Sequence, residues 1–68
     1  MNEQFYLKIY SSGVRVLVKI TDKGAFKYSF VSKNWRQDDD YLRILDASSS
    51  YAADFDAISS DEARELMA

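Results

Sequence analysis

The sequence predicts a small α+β domain: an antiparallel sheet built on a three-stranded meander, with room for a fourth strand, and a short C-terminal helix packed on one face. Three observations predict it. Apolar residues alternate through 5–10, 14–20 and 26–30, the period of a strand with one buried face. Gly13 and Gly24 close the two intervening turns, where glycine is free to take positive φ. Ser59 and Glu62 open the last segment at the spacing of a capping box.

Face parity sets the expected register. Phe5, Leu7 and Ile9 are odd, whereas Val14, Val16, Val18 and Ile20 are even. Side chains alternate between faces, so one shared face requires an even loop, supplied by a two-residue Ser12-Gly13 turn. The expected pairs are Phe5–Ile20, Leu7–Val18 and Ile9–Val16. Phe26, Tyr28 and Phe30 are even again, which requires an odd loop, here Asp22-Lys23-Gly24 as a type I turn closed by a glycine bulge. The pairs then become Ile20–Phe26, Val18–Tyr28 and Val16–Phe30.

The remainder is placed around that sheet. Residues 32–40 are polar apart from Trp35 and read as the longest loop, with Asp38, Asp39 and Asp40 as a solvated acidic tip. Trp35 is a candidate partner anchor, although folding back over the sheet edge is the stronger expectation. Leu42 and Ile44 alternate as in a fourth strand, while Tyr41, Leu42, Ile44 and Leu45 also fit one helical face; the short run favours the strand. Tyr51, Phe55 and Ile58 have helical spacing, and Tyr51, Ala53, Phe55 and Ala57 alternate, which leaves 51–58 divided. The closing helix carries Ala63, Leu66 and Met67 as its apolar stripe, with Ile58 positioned to pack on Ala63 as a hydrophobic staple.

Length and composition bound the function. Residues 1–68 make one small domain that buries roughly 60% of its unfolded surface, so its stability is a few kcal/mol. An apolar content of 47% with ten aromatic residues argues for a folded globule. There is no Cys to staple it, no signal peptide is visible, and no apolar run approaches the roughly 20 residues that cross a bilayer. A cytoplasmic location without a membrane partner is the expectation. With no His and no Cys, common triads, thiol nucleophiles and zinc sites are excluded. Both glycines are used in turns, so no phosphate-cradling loop exists. Asp38-Asp39-Asp40 lacks the glycine and terminal Glu of a calcium loop, and Asp54 with Asp56 is too sparse a ligand set for a metal. The chain is expected to have no catalytic residues, no metal and no cofactor.

Charge is the remaining signal. Residues 1–37 carry seven Lys or Arg against Glu3 and Asp22, a net of +5; residues 38–68 carry Arg43 and Arg64 against nine acidic groups, a net of −7. Either the halves neutralise one another across the fold, or they make a basic and an acidic surface for partners. In the expected register the outer sheet face carries the rows Tyr6–Lys19–Lys27, Lys8–Leu17–Ser29 and Tyr10–Arg15–Val31. Lys19 opposite Lys27 is an unfavourable like-charge pair that calls for Asp54, Asp56 or an external anion.

The favoured expectation is a small non-enzymatic protein-interaction module, an inhibitor that occupies a partner's basic or nucleic-acid-binding surface through its acidic half, with Asp38, Asp39, Asp40, Asp54 and Asp56 in contact. Two alternatives are weak single-stranded nucleic-acid binding through Tyr6, Lys8, Tyr10, Arg15, Lys19 and Lys27, and a homodimer that completes the small core.

Overall fold

The computed structural model describes residues 3–68. Five strands, β1 (Gln4–Ile9), β2 (Arg15–Thr21), β3 (Gly24–Ser29), β4 (Asn34–Gln37) and β5 (Asp56–Ile58), form one antiparallel sheet in the order β4-β3-β2-β1-β5. A 3₁₀ helix spans Asp39–Leu45, followed by helices α1 (Ser50–Asp54) and α2 (Ser60–Met67). The α+β class and the C-terminal helix are as expected; the sheet gains two edge strands.

The meander is present, but both of its registers differ from expectation by one residue. Phe5 pairs with Lys19, Leu7 with Leu17 and Ile9 with Arg15, in place of Ile20, Val18 and Val16. Ile20 pairs with Ala25 and Val18 with Lys27, in place of Phe26 and Tyr28. The cause lies in the turns. The first hairpin closes at Tyr10 and Val14, where the Tyr10 N–H donates to the Val14 carbonyl at 2.8 Å. Its three-residue loop has Gly13 last, at φ 90°. The second closes with a two-residue loop, Asp22-Lys23, between Thr21 and Gly24. The loop lengths are thus exchanged, and the two slips cancel between β1 and β3, so Phe5 and Phe26 still share a face. Only the middle strand is turned over.

Turning β2 over gives the sheet two covered faces. Phe5, Leu17 and Tyr28 pack with Ala63 of α2, joined at the margin by Phe30, Trp35, Ile58, Leu66 and Met67. On the opposite face Val16, Val18, Ile20 and Ala25 pack with Ile44 and Phe55, and Tyr6, Tyr41 and Tyr51 border them. Val16, Leu17 and Val18 are all buried, as expected for a central strand sandwiched between two layers.

Trp35 lies in β4 and not in a loop. Its ring centroid is 5.1 Å from that of Tyr28 and 6.3 Å from that of Phe5, so the expected packing on the sheet holds although the backbone is a strand. Residues 41–45 belong to the 3₁₀ helix and not to a fourth strand. Asp38 caps that helix by accepting from the Asp40 N–H, and Asp39 and Asp40 occupy its first turn, where negative charge is favoured. The divided segment 51–58 is divided in space as well: helix to Asp54, then strand from Asp56.

The α2 cap is the one expected. Ser59 accepts from the Glu62 N–H at 3.1 Å and the Glu62 carboxylate reaches back to the Ser59 N–H. An eight-residue helix is marginal alone, so cap and docked face must both contribute. Ser59→Ala should cost about 1 kcal/mol in a urea melt. An unchanged midpoint would show that docking of Ala63 alone holds the helix.

Candidate interaction surfaces

The fold distributes the expected acidic contacts between opposite edges of the sheet. Asp38, Asp39 and Asp40 follow β4, whereas Asp56 lies in β5, four strand spacings away, about 19 Å at the usual inter-strand distance. Asp38 is committed to the 3₁₀ cap. The Asp39 carboxylate accepts from the Ala25 N–H at 3.2 Å and from the Gln37 side-chain amide at 3.3 Å, tying the end of β4 to the start of β3. Asp54 pairs with Lys8 at 3.1 Å. Asp40 and Asp56 are exposed. Asp54 and Asp56 beside β5 and Asp61, Glu62 and Glu65 of α2 are all exposed, so the β5–α2 flank carries five exposed acidic residues against three at the Asp38–Asp40 tip.

The six residues expected to form one basic and aromatic face do not share one. Tyr6, Lys8 and Lys27 point to the 3₁₀ side, and Arg15 and Lys19 to the α2 side, because β2 is turned over. The expected Lys19–Lys27 contact is absent for the same reason: Lys19 is opposite Phe26, and Lys27 is opposite Val18. Lys19 lies 4.5 Å from the Trp35 ring centre and 3.7 Å from the Glu3 carboxylate. Lys8 lies over the Tyr10 ring at 4.6 Å, and Tyr6 donates its hydroxyl to Gln4.

A different like-charge pair takes its place. Lys27 is directly opposite Arg36 on β4. This pair was not legible in the sequence because it exists only once Asn34–Gln37 is recognised as a strand. Lys27, Arg36 and Arg15 border a cavity of about 390 Å³ with Phe30 and Val31, and among the described residues no acidic side chain lines it. A second cavity, of about 400 Å³, lies between α2 and the sheet, where Lys19 and Arg64 are balanced in part by Glu3 around Phe5 and Trp35.

Burial, with the Asp38 carboxylate adding to it, raises the Tyr41 phenol above its ordinary value. Hydrogen bonds from the Ser48 backbone and hydroxyl hold Asp46 below the usual carboxylate range. Among the described residues no group of three or more His, Cys, Asp or Glu is placed to hold a metal ion, and no helix is long and apolar enough to cross a membrane. Comparison of the chain with protein-family models, curated proteins and solved structures finds no significant match.

Proposed function

We propose that this chain is a small non-enzymatic interaction module that engages a larger protein by charge, its acidic flank occupying a basic surface of the kind that binds nucleic acid. One observation carries the reading. The sequence divides into a +5 half and a −7 half, yet among the described residues a single ion pair, Lys8–Asp54, joins them. The other two, Lys19–Glu3 and Arg64–Asp61, lie within a half. The asymmetry is therefore directed largely at solvent, where it steers association and selects partners of opposite sign. Asp56 and Glu65 are exposed and form no ion pair among the described residues, which makes the β5–α2 flank a better candidate than the Asp38–Asp40 tip, two of whose carboxylates serve the fold.

The test pairs tagged chain with a nucleic-acid-binding protein that co-purifies with it and is released by salt. The double variant Asp56→Lys/Glu65→Lys should weaken that complex by about a hundredfold, the equivalent of about 3 kcal/mol, and short DNA should compete with the unmodified chain. Asp40→Lys should have a much smaller effect. Undiminished binding by the double variant would sink the reading.

A further inference from the structure

We propose that the outer edge of β4, with the cavity beside it, receives an extended acidic segment of a partner protein carrying an aliphatic anchor residue. The surface lies at the opposite edge of the sheet from the acidic flank, so it extends the interaction reading to a second site that stands or falls separately.

Four observations converge here. First, Lys27 and Arg36 are cross-strand neighbours, an arrangement disfavoured without a counter-ion. Neither they nor Arg15 form an ion pair among the described residues. Among the described residues their cavity has no acidic lining, so an external anion is the complement that would relieve the pair. Second, Val31 is 97% exposed beside those cations. An isolated exposed valine is ordinary, but this one lines the same cavity as Phe30, a position suited to an aliphatic side chain.

Third, the aromatic groups there are already engaged. Arg15 covers Phe30 at 4.6 Å, and Tyr28 meets Phe30 edge-on at 5.1 Å. Unstacked bases need open aromatic faces, so the site favours a peptide over a single-stranded nucleic acid. Fourth, β4 is an edge strand. The Asp38 N–H donates inward to the Ala25 carbonyl at 2.9 Å. By the alternation of an antiparallel ladder, Arg36 then bonds inward, while Trp35 and Gln37 present their backbone groups outward. An added strand would bond to those groups, with its acidic side chains beside Arg36 and reaching toward Lys27 one strand further in.

The experiment uses the full ¹⁵N-labelled chain at low salt, titrated with a peptide of about six residues alternating Glu and Val. Amide shifts should centre on Val31 and Asn34–Gln37, and hydrogen exchange at Trp35 and Gln37 should slow. Arg36→Glu and Val31→Asp, both at exposed positions, should each weaken binding about tenfold or more, and Asp56→Lys should leave it unchanged. A peptide alternating Lys and Val should not bind. The proposal is overturned by shifts centred elsewhere, by absence of binding at millimolar peptide, or by equal binding of the Lys peptide. It is also overturned if an oligo(dT) of matched length binds the same residues more tightly, which would assign the surface to nucleic acid. A dimer in sedimentation that Val31→Asp dissolves would assign it to a second copy of this chain.

Discussion

Replacing Leu17 by Ala should leave much of the protein unfolded at 25 °C. Leu17 is fully buried among Phe5, Tyr28 and Ala63, and truncating such a leucine costs about 2–5 kcal/mol. A domain of this length holds only a few kcal/mol in total, so one cavity consumes most of the margin. The same measurement discriminates between the two registers. With β2 in the register expected from parity, Leu17 would lie on the outer face between Lys8 and Ser29, and its truncation would change stability by less than about 0.5 kcal/mol. Ile9 provides the reciprocal control: parity buries it against Val16, whereas the structure pairs it with Arg15 and leaves it 62% exposed. Ile9→Ala should therefore stay within about 0.5 kcal/mol. Urea melts of the two variants answer the question together, and a costly Ile9→Ala with a neutral Leu17→Ala would reject the observed register.

That contrast shows which information the sequence held. Strand periodicity located β1, β2 and β3, and the Ser59–Glu62 spacing located α2 with its cap, because both are local patterns. Register is not local. Ser11-Ser12-Gly13 and Asp22-Lys23-Gly24 each tolerate either loop length, and requiring one buried face selected the wrong length twice. The contrary signal was the unbroken Val16-Leu17-Val18: three consecutive apolar residues have no place on a strand with a wet face. They imply a layer on each side, and hence a partner for both the 41–45 segment and the C-terminal helix. β4 was hidden for the opposite reason. In Asn34-Trp35-Arg36-Gln37 only Trp35 reaches a core, and an edge strand may be polar everywhere else. The Lys27–Arg36 pair was hidden with it. The acidic residues were easy to find but not to interpret, since the capping duty of Asp38 depends on where the 3₁₀ helix begins and the strand-tying duty of Asp39 on where β3 begins.

Gly24 makes that last dependence measurable. It takes φ 128° at the first position of β3, and a Cβ placed there would sit 2.5 Å from the Asp39 Oδ1 and 2.9 Å from the Gln37 Nε2. Gly24→Ala therefore imposes two costs. The backbone conformation disfavours any L side chain by about 1–3 kcal/mol, and the new methyl displaces the carboxylate that accepts from the Ala25 N–H, a loss of about 1 kcal/mol. The sum, about 3 kcal/mol, rivals the Leu17 truncation without touching the core. Asp39→Ala alone should cost about 1 kcal/mol, because it removes the acceptor and leaves the turn intact. In the double variant the methyl finds the space vacated, so its cost should fall short of the sum by about 0.5 kcal/mol or more. Strictly additive costs would show that the methyl acts through backbone strain alone. A coupled result would assign Asp39 to the joint between β3 and the 3₁₀ helix, and so remove it from the surface offered to a partner.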